Sequence, residues 1–286
     1  MRDHRRGSSG AGLERSCGEP TGDWLRSAGP EDGVELLEAW FQGPAYHRHR
    51  HDTYAICLTT RGVQGFDYRG THEISRPGQV VVLHPDEVHD GYAATAAGFG
   101  YRELYVDPAL VFAAVRALYD RPCPLPFVRD PVVTSPALAG AVVAAFAGGR
   151  EPLAVDGVVA RLAEGLLAAD PSCPSLAISR HLDVAAVERA RDFLDAERTR
   201  VIRSVELEAV TGLSRYELAR QFRLVCGTSP YRYLLMRRLD LARAEIARRR
   251  SLGEVALDAG FADQAHLSRT FKAAVGLTPG RYRALR

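Results

Sequence analysis

Leu218-Ala219-Arg220-Gln221-Phe222, then Gly227-Thr228-Ser229-Pro230 and Tyr233, return as Leu267-Ser268-Arg269-Thr270-Phe271, then Gly276-Leu277-Thr278-Pro279 and Tyr282. Each matched position lies 49 residues after its partner, which marks an internal duplication. Each copy reads as helix, tight turn, helix. In the first, Val205, Leu207 and Val210 lead to Gly212-Leu213, and Ser214 opens a new helix with Glu217 three residues on, a capping box. In the second, Ser251 and Glu254 repeat the device, Val255-Ala256 run to Gly260-Phe261, and Asp263 is an N-cap for the restart. A pair of helices joined by a short glycine-containing turn is the layout of a DNA-reading helix-turn-helix.

The second helix of each pair divides into two faces. Leu218 and Phe222, like Leu267 and Phe271, are four apart and belong on a core-facing stripe. The expected outward sets are Arg215, Tyr216, Ala219, Arg220 and Arg223 in the first, and Gln264, Ala265, His266, Ser268, Arg269 and Lys272 in the second. In a major groove Arg forks onto guanine, Gln onto adenine, and small apolar groups meet the thymine methyl. Between the copies, Ser229-Pro230 launches a helix expected from Tyr231 to about Arg249, with Leu234, Leu235, Leu239, Ala242 and Ile246 inward. Its ~27 Å is close to the ~34 Å of one duplex turn, so one strut could hold two reading helices in successive grooves.

These landmarks carry a resemblance. The segment from about Asp183 to Arg283 resembles the DNA-binding domain of AraC/XylS-type transcription regulators, through Gly212-Leu213-Ser214, Arg238-Leu239 with Ala242-Arg243, Val255-Ala256 with Ala259-Gly260-Phe261, and Phe271-Lys272 with Gly276-Leu277-Thr278-Pro279. The resemblance implies that Arg215, Tyr216, Ala219, Arg220 and Gln264, Ala265, His266, Ser268, Arg269 occupy DNA-contacting positions. Ala219 and Ala265 can make only apolar contacts there.

Composition agrees with a two-domain protein. The chain has 286 residues, 46% of them hydrophobic, enough for two cores. No run approaches the ~18 apolar residues of a membrane span, and no secretory signal is apparent, so a cytoplasmic location is expected. Cysteines 17, 57, 123, 173 and 226 are scattered and odd in number, and read as reduced bystanders. From Asp183 onward there are 20 Arg/Lys against 13 Asp/Glu; before it the balance is 17 against 22. A basic part beside an acidic part suits a nucleic-acid reader joined to something else, although solvated helix faces would give the same balance.

Residues 1–30, rich in Gly, Ser and Arg without periodicity, are expected to be a disordered tail. From about Val34 to Val106 the pattern becomes that of short strands: 54–60, 65–68, 71–74 and 79–83, divided by Arg61-Gly62, Arg69-Gly70 and Arg76-Pro77-Gly78. Such spacing indicates a sandwich or barrel. His47-Arg48-His49-Arg50-His51, Gly62, Pro77-Gly78 and His84-Pro85-Asp86-Glu87-Val88-His89 are similar to the cupin-type sensor barrel that precedes this DNA-binding domain in many family members, which implies a pocket for a small effector.

On a strand His47, His49 and His51 would share one face. With His89 they could ligate a metal, hydrogen-bond an effector or form a structural rim. Thr53, Tyr54, Ala55 and Ile56 stand where the catalytic cupin pattern has a Glu, so no metal, cofactor or catalytic residue is assigned. The candidate effector residues are His47, His49, His51, Tyr54, His84 and His89. After Pro108, three Ala/Leu/Val helices exceed the cover a small barrel needs, which suits either packing on the barrel or pairing with a second subunit.

The expected fold is α+β in two domains: a cupin-like antiparallel β-barrel with accessory helices over 31–170, a linker over 171–182, and an all-α domain of two helix-turn-helix motifs joined by a long helix over 183–286. The expected function is a sequence-specific, effector-responsive transcription regulator and not an enzyme. Its expected partners are double-stranded promoter DNA, a small-molecule effector, a second copy of the chain and RNA polymerase, with no membrane. The alternatives are a metal-dependent cupin enzyme with a helical appendage and a non-specific architectural DNA binder.

Overall fold

The structure, a computed structural model, describes residues 22–118, 123–148, 151–172 and 181–285. Nine strands come first: β1 (Trp24–Glu31), β2 (Val34–Phe41), β3 (Pro44–His49), β4 (Tyr54–Gly62), β5 (Gln64–Tyr68), β6 (Thr71–Ser75), β7 (Val80–Leu83), β8 (His89–Ala93) and β9 (Phe99–Val106). Then come α1 (Pro108–Leu118), a short β10 (Val132–Val133), α2 (Pro136–Gly148) and α3 (Pro152–Ala169).

The strands form two separately hydrogen-bonded sheets, ordered β1-β2-β9-β4-β7-β10 and β3-β8-β5-β6. The expected barrel is therefore an unclosed one, two antiparallel layers packed face to face. Period-two alternation sorts the side chains of the larger sheet. Ala55, Cys57, Val81, Leu83, Phe99 and Tyr101 face the smaller sheet. Ile56, Leu58, Val80, Val82, Leu104 and Val106 point the other way, into the helices α1, α2 and α3. The surplus apolar helix surface is thus largely spent on the outer face of this sheet.

Residues 1–21 of the expected tail lie outside the described residues. The part over 24–30 is a correction: β1 pairs antiparallel with β2, from Trp24↔Trp40 to Ala28↔Leu36. Composition alone reads this Gly- and Ser-containing stretch as unstructured, because its order comes from the ladder that β2 offers and not from any pattern of its own. Most of the expected linker, 173–180, also lies outside the described residues.

The C-terminal part is helical: α4 (Val184–Ala196), α5 (Ser204–Thr211), α6 (Arg215–Cys226), α7 (Pro230–Ala247), α8 (Leu252–Asp258), α9 (Gln264–Val275) and α10 (Pro279–Ala284). The sequence signals act where they stand. Ser214, Ser251 and Asp263 cap α6, α8 and α9, each accepting from the backbone N–H three residues on. The Glu217 and Glu254 carboxylates meet the capping serine hydroxyls instead of the backbone amide. Gly227 and Gly276, 49 apart, close α6 and α9 with φ of +70° and +78°, the left-handed C-cap that glycine adopts without a Cβ penalty.

α7 carries two clusters along its length. Its first half joins Leu194, Leu207, Leu218 and Phe222 through Leu234. Its second half joins Val255, Phe261, Leu267 and Phe271 through Leu239, Ala242 and Ile246. Among the described residues no helix is long and apolar enough to cross a membrane.

Candidate nucleic-acid interface and sensor cluster

The two second helices meet different surroundings. On α9, Leu267 and Phe271 are fully buried, while Gln264, Ala265, Arg269 and Lys272 are exposed and His266 and Ser268 half-buried. This is the expected polar face, aimed outward from a fixed helix. The Phe261 ring meets His266 edge to face at 5.3 Å, and burial pulls the imidazole below its ordinary pKa, so it is neutral near pH 7.

On α6 the expectation needs correcting. Leu218 and Phe222 face their own domain as expected, but Tyr216 and Ala219 are only 7% and 3% exposed. They belong to the cluster formed by α1, α2, α3 and the outer face of the larger sheet. Arg215, Arg220 and Arg223 are half-buried. Helix α3 lies against the face expected to be free.

The charged side chains follow. Arg223 Nη2 donates to both oxygens of Glu164 on α3, at 2.8 Å to Oε1 and 2.6 Å to Oε2. Arg215 forks onto Glu208 of α5 at 3.0 Å by Nε and by Nη2, and its Nη1 lies 3.8 Å from Asp156 of α3. Asp156 also accepts from the Ser204 hydroxyl, and burial raises its carboxyl to about 6. Helical periodicity reports which residues leave their own core. It says nothing of a helix 59 positions upstream that supplies a second one.

The sensor candidates fall into two groups. His49, His51 and His89 come together, with ring centroids 4.3 Å apart for His49 and His89, 4.9 Å for His51 and His89, and 6.2 Å for His49 and His51. In each the Nδ1–H donates to a backbone carbonyl at 2.9 Å, that of His47, Thr53 or Glu87 respectively. Where the ring is neutral, its Nε2 is left as an acceptor. The Nε2 of His51 is buried with no hydrogen-bond partner among the described residues. Burial lowers the pKa of His51, and that of His89 to about 4, so both are neutral near pH 7.

His47, Tyr54 and His84 stand elsewhere, which corrects the six-residue set. His47 is exposed: β3 changes register against β8 between Pro44 and Tyr46 and again between Tyr46 and His49, so strict alternation fails there. Tyr54 is 1% exposed on the helix-facing side of β4, its hydroxyl donating to the Pro126 carbonyl at 3.0 Å. His84 accepts from the Val128 N–H at 3.0 Å and donates to the Tyr68 hydroxyl at 3.1 Å, a knot that fastens the loop after α1. Among the described residues no group of three or more His, Cys, Asp or Glu is arranged to hold a metal ion.

Reading the sequence missed two aromatic neighbours of the imidazole group and a carboxyl group behind one of them. Tyr46 lies 5.6 Å from His49 and Tyr105 lies 5.1 Å from His51 between ring centroids. Glu103, 6% exposed, is bonded to Tyr105, and burial lifts its carboxyl to about 7. The signal was present: Phe99, Tyr101, Glu103 and Tyr105 alternate along β9, which places Glu103 inward. The acidic residues of α3 that meet α6 had no comparable signal.

Comparison with known proteins bears on both parts. Residues 33–162 match the family described as AraC-like ligand binding domain, and 207–285 match a helix-turn-helix domain family. LumQ of Photobacterium leiognathi, named as a transcriptional regulator, is 33% identical over 92 residues, 32% of this chain and 37% of that protein. A protein of Streptomyces lividans named as an AraC-like transcription regulator is 29% identical over 135 residues, 47% of this chain and 38% of that one. The matches thus span little more than a third of these relatives' length. A solved AraC-type regulator of Chromobacterium violaceum is 28% identical, with TM-score 0.33, covering 35% of this chain and 90% of that one. With an AraC-like ligand-binding region followed by this helix-turn-helix domain, the chain belongs to the AraC/XylS-type family of DNA-binding transcription regulators.

Proposed function

We propose that this regulator is sequence-specific and effector-responsive, with α6 and α9 as its two reading helices and the His49, His51, His89 group as the polar end of its effector site. The division into a sensor over 31–170, a linker over 171–182 and a reader over 183–286 belongs to the same proposal. So do a homodimer, contact with RNA polymerase and action in the cytoplasm. The observation that supports it best is the outward polar face of α9, with Gln264 and Arg269 exposed, set on a core that α7 shares with the first repeat.

The His trio supports the effector site in a specific way. The Nε2 of His51 is buried with no hydrogen-bond partner among the described residues, and an incoming small molecule can supply the donor it needs. An effector acts by binding one arrangement of the chain more tightly than another.

The test is selection of binding sites from random duplexes by the full chain, followed by footprinting. Arg269→Ala should weaken binding by about 1 to 3 kcal/mol and relax one base position, and Arg220→Ala should do the same wherever α6 reaches the duplex. Footprints unchanged in both variants would refute the assignment.

A further inference from the structure

The second reading helix serves as an internal control for the first. Shifted by 49 positions, Arg215, Tyr216, Ala219 and Arg223 correspond to Gln264, Ala265, Ser268 and Lys272. In α9 the positions of Ala265 and Lys272 are open to solvent, whereas in α6 their counterparts are held beneath α3. The apolar stripe is repeated and both helices end on a left-handed glycine, while their outward residues and their N-caps, Ser214 and Asp263, differ. What covers α6 is α3, from the sensor part of the chain.

The cover matches α6 in charge as well as in shape. Asp156 and Glu164 are eight residues apart on α3, and Arg215 and Arg223 are eight apart on α6, about 12 Å along each axis at ~1.5 Å per residue. Both pairs rise in the same chain direction, Asp156 with Arg215 and Glu164 with Arg223. Between them Tyr216 and Ala219 rest in an apolar seam that includes Val159, Ala160 and Ala163. Carboxylates flanking an apolar strip present to α6 what a duplex presents: phosphate oxygens on either side of base edges. Other charges face the same pairs. Glu208 shares Arg215, and Arg161 lies near both Arg223 and Glu164.

Helix α3 also touches the layer that an effector would disturb. Its Val158, Val159, Leu162 and Leu166 pack in one cluster with Ile56 and Leu104 on the outer face of β4 and β9. Their strand neighbours Cys57 and Glu103 face the space between the sheets.

We propose that α3 is an intramolecular substitute for DNA: Asp156 and Glu164 hold the arginines that α6 would offer to phosphate, leaving α9 as the exposed reader until α3 is displaced. The proposal rests on the reading of α6 and α9 as DNA-binding helices. Duplex and α3 compete for one surface, so whatever weakens the contact of α3 raises affinity for DNA, and DNA in turn loosens α3.

The experiment uses the full chain and a fluorescein-labelled duplex that the chain itself has selected from random DNA. The double variant Asp156→Asn, Glu164→Gln should bind that duplex about tenfold more tightly, a typical coupling between two sites, and lengthen the footprint by about one helical turn, ~10 base pairs. In the unaltered protein, adding the duplex should speed hydrogen exchange across residues 153–164. That measurement decides the matter if the double variant folds poorly. Unchanged affinity and footprint in a folded double variant, or exchange in α3 indifferent to DNA, would overturn the occlusion while Arg269→Ala still weakens binding. If Arg269→Ala also has no effect, the DNA-reading assignment itself fails and the occlusion falls with it.

Discussion

Arg238 of α7 is 1% exposed, and its Nη1 lies 3.2 Å and 3.3 Å from the two carboxylate oxygens of Glu151, the residue that opens α3. Its Nε and Nη2 each donate at 2.8 Å to the carbonyls of Arg198 and Arg200 in the loop between α4 and α5. One guanidinium therefore joins the long helix, that loop and the sensor part. An unpaired buried charge is expensive, so a guanidinium is tolerated here because every side of it finds an acceptor.

Removing the guanidinium orphans those acceptors together. Arg238→Ala is expected to cost roughly 3 to 5 kcal/mol in urea unfolding, the range for breaking a buried pair. Glu151→Gln should cost distinctly less, because the arginine keeps both carbonyl partners and the Glu151 side chain is about a quarter exposed. Equal losses in the two variants would show that the ion pair, and not the carbonyl bonds, holds the joint.

Gly260 sits against the same joint. It has φ +81°, and an added Cβ would come within 2.9 Å of the Arg198 and Thr199 carbonyl oxygens and 3.0 Å of Arg238 Nε. Gly212 has φ +75° with nothing within 4 Å. Gly212→Ala should cost about 1 kcal/mol of left-handed strain. Gly260→Ala must also displace backbone, and is expected to cost at least twice that, about 2 to 3 kcal/mol. Paired thermal melts measure the difference.

Glu103 makes stability depend on pH in a stated direction. Its carboxyl titrates near 7 in the fold, against 4.5 ordinarily, because burial disfavours the anion. The folded state thus holds the proton more tightly than the unfolded one. The stability this confers is complete below about pH 4.5 and is lost as pH rises through 7. Glu103→Gln should therefore be nearly neutral at pH 4.5 and stabilising by up to roughly 3 kcal/mol at pH 8. His84 and His89, both lowered to about 4 by burial, act oppositely and destabilise the fold as pH falls from 6.5. The comparison must accordingly be variant against parent at each pH.

The exposed face of α9 separates a base-reading from a phosphate-binding role. Lys272→Ala should weaken binding about equally on all duplexes and lower the salt slope by about 1. Arg269→Ala should alter sequence preference. Competition between selected and scrambled duplexes at two salt concentrations distinguishes the two. Leu218→Asp should instead unfold the first repeat, because its side chain is 2% exposed beside the fully buried Phe222.

Much of the fold was legible because its signals are local. The caps at Ser214, Ser251 and Asp263, the glycines that end α6 and α9, and the alternation along β4, β5 and β7 each act within a few residues. β1 was not legible, since its ladder partner lies beyond its own sequence. Of the six sensor candidates, His49, His51 and His89 were brought together. Register shifts set His47 apart, and the helix layer claimed Tyr54.

By itself the sequence determined that there are two equal units at an offset of 49, each with a helix whose apolar stripe is Leu218 with Phe222 or Leu267 with Phe271, because periodicity and capping depend on neighbours along the chain. Which reading surface is open was decided by tertiary structure alone. Asp156 and Glu164 carry no mark that they belong opposite Arg215 and Arg223. That pairing exists because α3, laid on the outer face of β4 and β9, has a further side left to bury, and α6 supplies its cover.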